Sequence, residues 1–153
     1  MSETALILHN IRSAHNVGSI FRTADAAGVA HIFLTGYTSC PVDRFGRAQK
    51  EIAKTALGAE RDVCWEYRVS PSARIHTLKK EGWKIVGVEQ DARAQDFRTT
   101  QYRERRVFIF GNEVRGLSKT LCDQCDVLVH IPMRGKKESL NVAVAAGIVL
   151  FAT

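Results

Sequence analysis

Long apolar runs are missing from this chain of 153 residues. The most apolar stretch, Val142–Thr153, is too short for a helix that needs about 20 apolar residues to cross a bilayer. The segment Met1–Asn10 has no basic region of the kind that opens a secretory signal. A cytoplasmic protein with no membrane partner is therefore expected. Proline occurs only three times, and no linker, repeat or low-complexity tract interrupts the chain. Moderate charge and 45% hydrophobic residues exclude disorder as the main state. One domain over residues 1–153 is expected, large enough to bury a core. Cysteine is scarce, at four residues. Cys122 and Cys125 have CxxC spacing, but a zinc site usually needs a second pair, and none exists. No metal is expected, and the thiols read as free in a reducing compartment. No GxGxxG or Walker-type loop follows the first apolar run, which counts against a nucleotide-binding or redox α/β protein.

Positive charge is in modest excess, with a net +6. That suits an anionic partner such as nucleic acid, or an ordinary charged surface. Short apolar runs at Ala5–His9, His31–Thr35, Val63–Tyr67, Trp83–Val88, Val107–Phe110 and Val127–Ile131 read as strands. Helical patterns lie between most of them, at Asn16–Ala27, Arg47–Leu57, Ser70–Gly82 and Ser118–Cys125. A last helix is expected over Ser139–Phe151, and Asp91–Arg106 is ambiguous. Continuous apolar strands alternating with helices predict an α/β fold, a parallel sheet covered on both faces. Ligands in such sheets bind beyond the carboxyl ends of the strands. The segments after Val107–Phe110 and Val127–Ile131 are therefore where chemistry is sought.

Three clusters stand out. In NIRSAHNVGSIFRTADAAG, Arg22 falls opposite the apolar stripe, on the side of Gly18 and Asp25. It serves a site or pairs with Asp25, and Asn16 serves a site or caps the helix. In FGNEVRGLS, Gly111 and Gly116 bracket Asn112 and Glu113, forming a ligand-approaching loop or a plain turn. In IPMRGKKESLNVAVAA, a basic loop with Arg134, Lys136 and Lys137 precedes a helix expected to start at Ser139. That helix is apolar on all sides, so it must enter the core or meet a partner subunit. Asn141 then needs a hydrogen-bond partner in apolar surroundings.

Together and in this order, the three clusters resemble the three motifs of the SpoU (TrmH-like) family of RNA 2′-O-ribose methyltransferases, within the SPOUT superfamily. The likeness runs from about Leu8 to the end of the chain, without the RNA-binding extensions that some members carry. It implies a SPOUT-type sheet with a C-terminal trefoil knot, a homodimer and S-adenosylmethionine as cofactor. The substrate it implies is RNA, with tRNA ahead of rRNA. By the same likeness, Arg22, Asn16, Glu113, Ser139 and Asn141 are the catalytic set. Gly111, Asn112, Gly116, Ile131, Met133, Ser139 and Leu140 would hold the cofactor.

A guanidinium does not give up its proton in proteins, so Arg22 is expected to act as a cation beside the developing alkoxide. The hydroxyl proton then leaves to a phosphate, to water or to Glu113. The basic groups Arg44, Arg47, Lys50 and Lys54, and Arg103, Arg105 and Arg106, would track RNA phosphates or be solvated charge. A catalytically inactive RNA-binding protein of the same fold is the competing reading.

Overall fold

The computed structural model describes residues 2–153. Seven strands form one sheet: β1 (Glu3–His9), β2 (His31–Thr35), β3 (Trp65–Arg68), β4 (Lys84–Val88), β5 (Gln95–Asp96), β6 (Arg105–Phe110) and β7 (Val127–His130). Their order is β3-β2-β1-β6-β4-β7-β5. Every pairing is parallel, with Leu6 opposite Ile32 on one side and Phe108 on the other. Six helices complete the fold: α1 (Ala14–Ala26), α2 (Lys50–Ala56), α3 (Ala59–Asp62), α4 (Pro71–Lys80), α5 (Lys119–Gln124) and α6 (Val142–Ala152).

The continuous apolar strands follow from burial on both faces. Side chains alternate across a strand. Leu6, Leu8, Ile32, Leu34, Phe108 and Phe110 enter the core under α1, α2, α3 and α6. Ala5, Ile7, Phe33, Val107 and Ile109 enter a second core under α4 and α5. Each fully buried large side chain contributes roughly 1.5–3 kcal/mol; the one polar strand residue buried completely among the described residues, Thr35, has its hydroxyl hydrogen-bonded to His9 at 2.9 Å.

Several boundaries differ from the sequence expectations, for local reasons. Helix α1 starts at Ala14 because Ser13, not Asn16, is its cap, accepting from the Asn16 N–H at 3.1 Å. Gly18 is buried against α2 rather than sharing an exposed side with Arg22. Helix α2 starts at Lys50 because residues 41–49 close into a small hairpin, with Val42 bridged to Ala48. Leu57, at φ 52°, ends it, and the single turn α3 follows. The ambiguous Asp91–Arg106 stretch contains the two-residue strand β5 and no helix. Helix α6 starts at Val142 and not at Ser139, because Asn141 is its cap. The Asn141 side chain is therefore exposed, not set among apolar groups.

Candidate functional site

The carboxyl ends of β4, β6 and β7 open into one cleft of about 720 Å³, including the part continuous with solvent. Val88, Phe110, Ile131, Leu140, Val142 and Ala145 supply apolar walls. Glu89, Gln90, Asn112, Glu113, His130 and Ser139 supply polar edges. The cleft thus brings together the second and third sequence clusters. Gly111, Asn112, Gly116, Ile131, Ser139 and Leu140 all line it; Met133 does not.

The loop after β6 is folded tightly on itself. A Cβ at Gly111 would sit 2.6 Å from the carbonyl carbon and oxygen of Gly116. Gly116, at φ +65°, leaves room for the Glu89 carboxylate, which accepts from the Leu117 N–H at 2.6 Å. Asn112 holds this loop in shape with both ends of its amide. Its oxygen accepts from the N–H groups of Val114 (2.9 Å) and Arg115 (2.8 Å). Its nitrogen donates to the Asn10 carbonyl (3.1 Å) and the Tyr37 hydroxyl (2.8 Å). On the far side, the Gln90 amide donates to the Ile131 carbonyl at 2.8 Å, joining the ends of β4 and β7.

The three clusters meet through a chain of side chains. The Glu113 carboxylate accepts from the backbone N–H groups of Arg12 and Ser13, both at 2.8 Å, and from the Asn16 amide at 3.3 Å. The Asn16 oxygen accepts from the Asn141 amide at 3.2 Å. The Asn141 oxygen accepts from the N–H groups of Ala143 (2.9 Å) and Val144 (3.3 Å) at the head of α6. Glu113 therefore places an anion at the positive end of α1, and Asn141 does the corresponding capping at α6.

Partial burial alone would raise the Glu113 pKa. The Arg12 and Ser13 N–H donors, with its own N–H and Asn16, outweigh that and hold it below the usual carboxylate value. A carboxylate with both oxygens engaged and its affinity for protons reduced is a poor proton acceptor. Glu113 thus clamps the clusters together, and in this arrangement it is a less basic candidate acceptor than an ordinary carboxylate.

Arg22 lies elsewhere. It is six residues beyond Asn16 on α1, about 9 Å along the helix axis. It lines a separate groove with Ser19, Thr23, Lys54, Thr55, Leu57 and Phe151. No ion pair with Asp25 forms among the described residues, and Arg22 is exposed. One basic group expected to track RNA is also displaced. Arg105 and Arg106 start β6, so they sit at the amino ends of the strands, opposite the cleft. Arg105 is engaged there by Glu3 (3.1 Å), the Glu81 carbonyl (2.7 Å) and the Trp83 ring (4.5 Å).

Glu89, Gln90 and His130 are site residues that the sequence clusters missed. The rule of strand carboxyl ends, applied to the fourth apolar run as well as the fifth and sixth, points to Glu89 and Gln90. The four cysteines are free. Burial pushes the Cys122 thiol up and carries Cys125 to about 12, far from thiolate chemistry. No helix among the described residues is long and apolar enough to cross a membrane.

Comparison with known proteins agrees with this arrangement. The family model described as the SpoU rRNA methylase family matches residues 3–151. A protein of Staphylococcus saprophyticus assigned to the TrmH family of tRNA/rRNA methyltransferases is 33% identical over 97% of this chain and 57% of its own length. Among solved structures, the AdoMet-bound rRNA methyltransferase of Sinorhizobium meliloti superposes with a TM-score of 0.88 at 32% identity, over 98% of this chain and 55% of that one. The A. aeolicus TrmH/SpoU tRNA modifying enzyme superposes with a TM-score of 0.85 at 27% identity, over 99% of this chain and 74% of that one. The chain thus spans little more than half the length of the curated relative. Its parallel sheet flanked by helices is the SPOUT methyltransferase architecture, of which a C-terminal trefoil knot is typical.

Proposed function

Because the chain belongs to the SpoU rRNA methylase family, we propose that residues 1–153 form one catalytic domain that transfers a methyl group from S-adenosylmethionine to a ribose 2′-hydroxyl of RNA. Transfer RNA is the first substrate class and ribosomal RNA the second. The observation that carries this reading is the meeting of the second and third clusters at one cleft, to which the Asn141–Asn16–Glu113 chain ties the first. A catalytically silent RNA-binding protein would have no need of that convergence.

The cleft residues fit the cofactor. The apolar walls suit a purine ring, and the polar edges suit a ribose and an amino acid moiety. Gly111 and Gly116 let the loop fold tightly on itself at the cleft wall, which fixes the backbone that faces the cofactor. In this reading Gly111, Asn112, Gly116, Ile131, Ser139 and Leu140 hold the cofactor, Asn112 through backbone because its amide is already engaged. When bound, S-adenosylmethionine supplies a methyl group on a sulfonium, already a good leaving group. The protein's tasks are to align the reactants and to ease loss of the hydroxyl proton.

Arg22 performs the second task as a fixed cation that favours the developing alkoxide. With Glu113 engaged as a clamp, the proton goes to water or to an RNA phosphate. Asn16 and Asn141, hydrogen-bonded to each other beside the cleft, position the substrate. Arg22 does not line its own cleft, which supports a homodimer in which the site is shared. Leu140, Val144, Ile148 and Phe151 leave an apolar stripe exposed from the cleft to the Arg22 groove, with Val144 51% and Phe151 65% accessible. Association along that stripe would cover it and bring a partner's Arg22 groove toward the cleft.

The test is direct. The gene is deleted, and tRNA and rRNA from the deleted strain are incubated with the protein and S-adenosylmethionine. Nuclease digests are then read by mass spectrometry for a restored ribose methylation. Arg22→Ala is expected to abolish transfer while calorimetry shows cofactor affinity within about twofold of wild type. Cofactor binding without transfer to either RNA would favour the inactive RNA-binding reading, and an active Arg22→Ala protein would remove Arg22 from its role.

A further inference from the structure

The loop from β2 to α2 carries a feature that neither the cleft nor the Arg22 groove uses. Residues 41–49 form a hairpin locked from within. The Asp43 carboxylate accepts from the N–H groups of Phe45 (2.8 Å) and Arg47 (3.0 Å). Backbone bonds join Asp43 to Arg47 (2.8 Å), Gly46 to Asp43 (2.9 Å) and Gln49 to Pro41 (2.9 Å). The bridge between Val42 and Ala48 closes the stem. A turn so satisfied needs no large apolar side chain at its tip. Yet Phe45 stands there, 66% exposed and outside both cores. The guanidinium carbons of Arg44 and Arg47 lie 4.8 and 5.0 Å from its ring centroid.

The hairpin's position matters as much as its composition. It follows the carboxyl end of β2, at the same end of the sheet as the cleft. Tyr37, at the start of the loop, is hydrogen-bonded to Asn112 on the cleft wall. Helix α2, at its other end, carries Lys54 into the Arg22 groove. The loop that carries the hairpin thus touches the cleft wall near its start and leads into the helix that lines the Arg22 groove.

We propose that the hairpin tip, Phe45 with Arg44 and Arg47, is the docking platform for an unpaired nucleobase of the target RNA. The ring stacks on the base and the Arg44 guanidinium meets a flanking phosphate, while Arg47, whose Nε–H donates to the Asp43 carboxylate at 2.9 Å, braces the turn beneath the ring. Aromatic faces bind any exposed base, whereas the bases of an A-form duplex are already stacked and its major groove is too narrow to enter. The platform selects single-stranded or looped RNA and sets how far the target ribose lies from the contact. The proposal rests on the RNA reading above.

Anisotropy with two labelled probes tests it on the full chain: an RNA stem–loop and a blunt RNA duplex of equal length. Phe45→Ala is expected to weaken the stem–loop about tenfold, as loss of one stacked base would, and to leave the duplex unchanged. Phe45→Trp is expected to restore the stem–loop. The ring is exposed, so the variant should fold, and cofactor calorimetry checks that it does. Equal affinity of wild type and Phe45→Ala for the stem–loop, or an equal loss on both probes, would overturn the platform while leaving the RNA reading intact. Subunit dissociation by Phe45→Ala with RNA affinity unchanged would reassign the tip to a protein contact, and so overturn it. A wild-type chain that binds neither probe would overturn both the platform and the RNA reading.

Discussion

Replacing Glu113 by Gln separates a clamp from a proton acceptor. The carboxylate takes three donors, from Arg12, Ser13 and Asn16, at 2.8, 2.8 and 3.3 Å. Gln keeps one acceptor oxygen and turns an NH₂ group toward a backbone N–H, so at least one donor loses its partner. A bond to a charged group is worth about 1.5–3 kcal/mol when desolvated. Solvent reaches this site, and a stranded N–H can recruit water, so the expected loss is about 1–2 kcal/mol. For a domain of this size each kcal/mol moves the melting temperature by roughly 2–4 °C, so a fall of about 2–8 °C near neutral pH is expected.

The pH dependence has a definite sign. The folded-state pKa of Glu113 is depressed, so its contribution is complete above the unfolded value, near 4.5, and is lost as pH falls through the lower folded value. The gap between Glu113→Gln and wild type should therefore close in acid. Thermal unfolding by circular dichroism at neutral pH and at successively lower pH reads both effects, with methyl transfer assayed in parallel. An unchanged melting temperature at neutral pH together with lost turnover would refute the clamp and favour Glu113 as the proton acceptor.

Two further perturbations probe the scaffold and the shared site. A Cβ at Gly18 would lie 2.0 Å from Thr55 Oγ1 and 2.3 Å from the Ile52 carbonyl oxygen. Gly18→Ala should thus cost about 1–3 kcal/mol of overpacking against a helix-propensity gain of roughly 1 kcal/mol, and a melting temperature above wild type would contradict this helix contact. Val144→Asp puts a charge on the exposed stripe of α6 but falls in the helix's first turn, where an acid is favourable. It should leave the monomer folded and turn a dimer into a monomer by sedimentation velocity, whereas an intact dimer would exclude this face as the interface.

Most of the strand positions were legible in the amino-acid sequence, because a strand buried on both faces must be apolar throughout, as Ala5–Leu8 and Val107–Phe110 are. The clusters around Arg22, Asn112–Glu113 and Ser139–Asn141 stood out only through their ordered resemblance to a known family, because spacing alone left each of them open between a site and a structural role. Helix boundaries near hairpins and caps were less legible. Whether Ser139 or Asn141 caps α6 depends on which side chain reaches the free N–H groups, and composition does not record that. Contacts between distant segments were not legible at all. Glu113 meets Arg12 and Ser13 across about a hundred residues of chain, and that meeting ties the second cluster to the head of α1 and lowers the carboxylate's affinity for protons. Arg22 and the cleft belong to one family pattern yet line different depressions of the same protomer. Local pattern determines which elements form and which faces they bury, because burial and backbone geometry act over a few residues. Only the sheet order and the packing of α1 and α6 decide which functional groups become neighbours, because those neighbours are separated along the chain and joined only in space.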